Sequence, residues 1–184
     1  MRSIFQIYAT CAVFCLATLS VTTIHAEDAK LSAAKLGSTK NVHVCGGTYL
    51  CGQPSVEDLK LAKQRGVDVI LTLRADGEID WNEESATKQL GMDYVCIPFR
   101  APDSLTDEVF DQTRKLLIDA GKDDKAVMMH CGSANRVGAI WMVHRVLDHG
   151  IDLKTAQAEA KEVGLRTAGY EARAIEYIKA QQAK

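Results

Sequence analysis

The residues best equipped for chemistry stand together in His130-Cys131-Gly132-Ser133-Ala134-Asn135-Arg136. An apolar run, Ala126 to His130, ends at a cysteine, crosses four small residues and enters a helix-patterned segment at an arginine. A strand-to-helix turn of this make-up aims consecutive backbone amides at one point, which is an anion cradle. Gly132, Ser133, Ala134 and Asn135 are small enough for the backbone to curl around an oxyanion, and Gly132 and Asn135 tolerate unusual dihedrals. Arg136 can grip two oxygens at once, which a lysine could not do with the same geometry. The helix start and Arg136 both favour the thiolate of Cys131, the nucleophilic form. A lone cysteine at a strand end is most often a buried small hydrophobe. Here nucleophile, amide nest and arginine coincide on one turn, which points to catalysis or anion binding.

Positioning such a turn requires alternating strands and helices, and the chain has them. Val42 to Val44 and Thr48 to Leu50 read as short strands around Gly46-Gly47. Gln53-Pro54-Ser55 leads into a helix capped by Ser55, with Asp58 at its third position and Gly66 at its end. Val67 to Leu73 is a β-branched strand, Asn82 to Leu90 a helix and Tyr94 to Phe99 a strand. Thr106 to Ala120 is an amphipathic helix with acidic residues in its first turn. After the strand Ala126 to His130, helices are expected over Arg136 to His149, Leu153 to Val163 and Glu171 to Ala180. The fold class is therefore α/β, a central mostly parallel sheet flanked by helices, with the Cys-x4-Arg loop joining a strand to a helix.

The ends and the composition bound the rest. Arg2 followed by an uncharged run from Ile4 to Val21 and by Ile24-His25-Ala26 reads as a signal peptide over residues 1–26, cleaved before Glu27. An uncleaved anchor is the competing reading of the same apolar run. A periplasmic or secreted protein without stable membrane association is the expectation. Residues 27–40 read as a flexible mature N-terminus, and 41–184 as one domain, since 158 residues suit a single core. Formal charge is −2 for the whole chain, with no basic run, so no nucleic-acid partner is expected and anion recognition has to be local. Four of the six cysteines follow the leader, and Cys45 and Cys51 are a candidate disulfide pair in an oxidising compartment, two separate buried thiols being the alternative.

The His-Cys start, the arginine at a helix mouth and the α/β order resemble the dual-specificity and tyrosine phosphatase superfamily. Gly52-Gln53-Pro54-Ser55, Val69-Ile70-Leu71-Thr72-Leu73-Arg74 and the Cys131 loop are similar, more narrowly, to the bacterial phosphatase-like family named after beta-lactamase hydrolase-like proteins. The similarity runs from about Val44 to Gly150. It implies that Cys131 attacks the phosphorus of a phosphomonoester, phosphotyrosine among them. Arg136 and the loop amides would bind the other oxygens, and water would cleave the cysteinyl-phosphate. It also implies a general acid in the loop 28 residues upstream, where Asp103 stands, with Asp107 in reserve. Two departures stand out: four residues separate Cys131 from Arg136 where the superfamily usually has five, and Val137 follows the arginine in place of Ser or Thr. Four is also the spacing of rhodanese-like sulfurtransferases, which makes a Cys131 persulfide the rival chemistry. A non-catalytic oxyanion-binding pseudophosphatase is a third class.

No cofactor is expected, and no metal, because no Cys/His/carboxylate set has zinc spacing. His144 and His149 stand five apart, a poor spacing for one helical face. His130 reads as a packed histidine, Trp141 and Met142 as core, and Arg74 as a salt-bridging residue near the catalytic rim. Cys96 reads as a core thiol in a strand beside that of Cys131, from which it could resolve an oxidised Cys131.

Overall fold

The computed structural model describes residues 29–184, so the leader reading of 1–26 lies outside the described residues. Six strands form one sheet: β1 (Ser32–Ala33), β2 (His43–Cys45), β3 (Thr48–Cys51), β4 (Val67–Thr72), β5 (Asp93–Cys96) and β6 (Ala126–His130), in the order β1-β2-β3-β6-β4-β5. β3, β6, β4 and β5 run parallel, and β1 and β2 add an antiparallel edge. The helices are α1 (Val56–Gln64), α2 (Glu83–Gln89), α3 (Asp107–Lys122), α4 (Asn135–His149), α5 (Leu153–Val163) and α6 (Ala168–Gln182).

The period-2 alternation of the central strands sorts side chains to two cores. Val127, Met129 and Cys131 join Val69, Leu71 and Leu73 under α3 to α6, whereas Met128 and Ile70 join Leu59 and Ala62 of α1 on the other face. Parallel strands end together, so β3, β4 and β6 release their following loops on one rim of the sheet. Cys131 is released there, directly above the α4 side of the core. α4 is apolar almost all round because α3, α5 and α6 enclose it; every residue from Val137 to Val146 is buried.

Over its described part, residues 29–40, the N-terminal segment corrects the expectation of a flexible stretch over 27–40. β1 pairs with β2, Ala34 donates to the Val42 carbonyl at 2.8 Å, and Leu36 is fully buried. Asp58 explains the anchoring. Its carboxylate accepts from the Ser38 amide, the Ser38 and Thr39 hydroxyls and the Ser55 amide of the α1 capping box. Burial raises the Asp58 pKa, but these hydrogen bonds outweigh it and hold the carboxyl at about 2. The expected strand Tyr94 to Phe99 stops at Cys96, although Ile97 and Phe99 still donate to the Thr72 and Leu73 carbonyls. The last helix starts at Ala168, earlier than the apolar pattern indicated.

The candidate disulfide is also corrected. Cys45 and Cys51 are free thiols, one at each end of the β2–β3 hairpin. Cys45 faces the core under α4 and Cys51 the opposite core. Cys51 lies three residues beyond Thr48, the partner of Cys45, so about 10 Å of strand separates the thiols, beyond disulfide reach.

α4 and α5 approach closely at Gly138, where an added Cβ would meet the Ala160 carbonyl oxygen at 2.6 Å and Leu165 Cβ at 2.8 Å. Gly138→Ala must push the helices apart and is expected to lower stability by about 1–3 kcal/mol, read by urea unfolding. An unchanged midpoint would show that the contact yields freely.

Candidate active site

The β6–α4 turn is built by diverting its carbonyls. The Gly132 carbonyl accepts from the Gln53 amide at 3.4 Å, and the Ser133 carbonyl from Asn41 Nδ2 at 3.1 Å. In a trans peptide the next N–H points the opposite way, so the Ser133 amide turns away from Gln53. Among the described residues, the backbone N–H groups of Gly132, Ser133, Asn135 and Arg136 donate to no other protein group, whereas Ala134 lies against β3 through the antiparallel Gly52–Ser133 bridge. Ala134 completes the curl in the left-handed region, at φ 64°, a conformation that costs a non-glycine residue about 1–2 kcal/mol. Its methyl is fully buried, and Gly164 packs so closely that an added Cβ there would lie 3.3 Å from it. Asn135 ties the turn to the α5–α6 connection: its Oδ1 accepts from the Arg166 and Thr167 amides, and its Nδ2 donates to Thr167 Oγ1.

Cys131, Gly132, Ser133, Asn135 and Arg136 line a pocket of about 390 Å³ together with Glu78, Arg100 and Tyr170. The Cys131 side chain is almost wholly buried at its floor. Glu78 holds Arg136 in a fork, with Oε1 2.9 Å from Nη1 and Oε2 2.6 Å from Nη2. The Leu73 and Phe99 carbonyls, at 2.9 and 2.8 Å, also accept from Nη1. Nε and the second Nη2 hydrogen remain for an anion. The hydrogen bond from Arg136 is the main cause that lowers the Glu78 carboxyl to about 2.

Behind this fork runs a chain of polar contacts. Arg74 donates to the Glu78 carbonyl, and its Nη1 donates to Gln53 Oε1 at 2.8 Å. Gln53 Nε2 donates to Glu83 Oε1 at 2.6 Å, and Glu83 Oε2 lies 3.2 Å from His130 Nε2. Glu83 and His130 are both fully enclosed. The chain thus links the residue before Cys131 to the acceptor of the arginine five residues after that cysteine. Arg74 stands inside this chain, more than the surface salt bridge that its sequence position suggested.

Asp103 sits in a short 3₁₀ turn, Pro102–Ser104, exposed and outside the pocket lining. The turn follows Arg100, whose carbonyl accepts from the Tyr170 hydroxyl at 2.6 Å. Asp107 is paired with Arg173. Cys96 is exposed on β5, separated from β6 by β4, so it does not neighbour Cys131 as expected; Cys51 of β3 does, its carbonyl accepting from the Cys131 amide. Ser133 Oγ accepts from Arg166 Nη2 at 2.6 Å, and Val137 is buried.

Glu78, Tyr170 and Arg100 were not singled out by sequence, and Gln53 entered only as part of the Gly-Gln-Pro-Ser motif. The one available signal for Glu78 was a charged turn after a parallel strand, the rim where α/β sheets bind ligands.

No protein-family model matches the chain, and no curated protein matches it. Solved structures do. A DUF442 protein of Shewanella putrefaciens CN-32 is 21% identical, with 79% of this chain and 95% of its own covered and a TM-score of 0.65. TpbA of P. aeruginosa, one structure of which is a complex with pTyr, is 18% identical over 81% of this chain and 88% of its own, with a TM-score of 0.64. The kinase associated phosphatase KAP is 14% identical over 74% of this chain and 88% of its own, at 0.67. The fold is that of the dual-specificity and tyrosine phosphatases. On it, the Cys131 turn occupies the rim at the carboxyl ends of the parallel strands.

Glu78→Gln should lower stability at neutral pH by about 2 kcal/mol, because a charged hydrogen-bond pair is lost. Wild-type Glu78 has a depressed folded pKa, about 2 against an ordinary 4.5, so its contribution is full above pH 4.5 and fades as pH falls toward 2. The gap between wild type and variant in urea unfolding should therefore close over that window. A gap independent of pH would mean that the ionised carboxylate is not what stabilises the fork.

Proposed function

We propose that this protein is a cysteine-dependent phosphatase that hydrolyses a phosphomonoester, phosphotyrosine being the leading candidate, through a cysteinyl-phosphate. The observation that carries this reading is the presence of four unpaired loop amides, those of Gly132, Ser133, Asn135 and Arg136, in residues that line a pocket floored by Cys131 and walled by a fixed guanidinium. Thiolate attack places the departing negative charge on the leaving oxygen, and the loop amides with Arg136 hold the other oxygens through the transition state. The Gly-Gln-Pro-Ser turn gains a role in this reading, since Gln53 both holds the loop carbonyl and links Arg74 to Glu83. That role supports the narrower likeness to beta-lactamase hydrolase-like phosphatases.

Asp103 is proposed as the general acid that protonates the leaving oxygen. Glu78 lines the pocket but is held ionised by Arg136, and Asp107 is engaged with Arg173. Asp103 makes no hydrogen bond through its side chain and follows directly on the segment of Arg100. Cys131→Ser should abolish phosphate release from an aryl phosphate while retaining phosphate binding, and Arg136→Ala should lower kcat about 10²–10³-fold and weaken binding. Asp103→Asn should slow alkyl phosphates by about 10²-fold and nitrophenyl phosphate little. Wild-type turnover in the Cys131 variant would overturn the assignment.

The four-residue spacer favours one second reading, a sulfurtransferase in which Cys131 carries a sulfane sulfur. Thiocyanate formed from thiosulfate and cyanide, without phosphate release, would select it. Neither product, with anion binding retained, would indicate a binding protein.

Residues 1–26 are proposed to export the protein to the periplasm or beyond. The intact mass of protein recovered from that fraction should correspond to a chain beginning at Glu27. A full-length mass would favour a retained anchor.

A further inference from the structure

At the end of α4 remote from Arg136, two histidines meet. A separation of five residues directs side chains to different faces of a helix, yet His144 Nε2 and His149 Nε2 lie 3.0 Å apart. The reason is local: His149 is the last residue of α4, and Gly150 follows in the left-handed conformation, so the His149 ring folds back edge-on to that of His144. The opposite edge of the His144 ring is fixed, with Nδ1 2.8 Å from Asp148 Oδ2. Asp148 is in turn gripped by Nε and Nη2 of Arg114, which keeps it an acceptor. His144 Nδ1 therefore carries the proton, and its Nε2 presents a lone pair to His149.

Among the described residues the Nδ1 of His149 is buried without a partner. With the proton on Nε2, His149 donates to His144. With the proton on Nδ1, its Nε2 turns a second lone pair toward that of His144, and a cation held by both nitrogens relieves that opposition. We propose that His144 Nε2 and His149 Nε2 are the two protein ligands of a binding site for a late first-row divalent ion of the nickel, copper or zinc class.

Metal–imidazole bonds of about 2.0–2.1 Å at a right angle place two nitrogens about 2.8–3.0 Å apart. The observed separation fits adjacent positions of a square-planar or octahedral ion, and a tetrahedral ion needs the rings to part to about 3.4 Å. The Asp148–His144 contact is the carboxylate–histidine arrangement that orients metal-bound imidazoles. The histidines and Asp148 border a cavity of about 420 Å³, whose walls include Thr48, Gly46 and Trp141, with space for water at the remaining positions. Lys122 and Lys125 also line it, and Asp148 is the nearest compensating charge that the site contains. Two protein nitrogens leave the other coordination positions to water, unlike a structural centre closed by four protein ligands. Thr48 and Val127 place it at the amino ends of β3 and β6, away from the Cys131 rim, and the inference does not depend on the reaction there.

The test is titration of the full mature chain with Ni²⁺ by calorimetry, in wild type and in Cys131→Ser, which removes the catalytic thiol as a competing ligand. Binding of one ion is expected in both, with a rise in Tm. In the Cys131→Ser background, His149→Gln should reduce affinity by more than the roughly tenfold that loss of an outer-shell partner costs. Absence of binding, loss of binding in Cys131→Ser alone, or undiminished affinity in His149→Gln would overturn the proposal. Should His149→Gln fail to fold, Cu²⁺ bound to Cys131→Ser gives an independent reading by electron paramagnetic resonance. Hyperfine coupling to two imidazole nitrogens supports the site, and a spectrum without it refutes it.

Discussion

Four backbone N–H groups without a protein acceptor among the described residues, all in one strand-to-helix turn, form the constraint around which this molecule is arranged. Buried donors left unpaired are costly, so the turn from Cys131 to Arg136 is tolerable only where water or an anion reaches it. Each neighbouring feature keeps that condition in force. Gln53 and Asn41 draw carbonyls outward, Ala134 accepts a left-handed backbone, and Asn135 fastens the turn to Arg166 and Thr167. The guanidinium of Arg136 is likewise not free to collapse onto the amides, because Glu78 and two main-chain carbonyls already hold one side of it.

The polar chain behind the pocket gives those local contacts a common frame. His130, Glu83, Gln53, Arg74 and Glu78 come from four separate stretches of sequence, and each touches the next. Such a chain in a largely buried setting is costly wherever a member lacks a hydrogen-bond partner, as Arg74 Nε, Glu83 Oε2 and the His130 ring nitrogens do here. It positions its members at some cost in stability. It therefore couples the positions of α2, the β3–α1 turn and the β4–α2 loop to the orientation of one arginine. Apolar packing alone, which is directionless, could not fix that orientation to within a hydrogen bond.

What was legible in the sequence followed from short-range physics. Strands and helices around Cys131 were marked by periodicity, by the Ser55 and Asp58 cap and by glycines at helix ends, all of which act within a few residues. The misread parts depend on partners far along the chain. The stretch over 27–40 reads as flexible because what anchors it lies elsewhere, in Asp58, which accepts from Ser38 and Thr39. Glu78 looked like one more loop carboxylate, and only the return of the chain at Arg136 gives it a task. Cys45 and Cys51 looked close because they are near in sequence, but a hairpin carries them to opposite faces of the sheet. His144 and His149 were separated by ideal helical geometry, which no longer applies at the last residue of a helix.

The stitching of Asn135 to the α5–α6 connection has a consequence for how the pocket meets its ligand. A loop that must first order itself around an anion spends part of the interaction on lost freedom and admits ligands at the pace of its own motion. Here the turn is braced from behind by Gly164, Arg166 and Thr167 before any ligand arrives. Preorganisation of this kind places discrimination in the fixed width of the mouth and in the side chains at its edge, Arg100 and Tyr170. The field of Arg100 and Arg136 then acts on a turn already shaped to receive an anion.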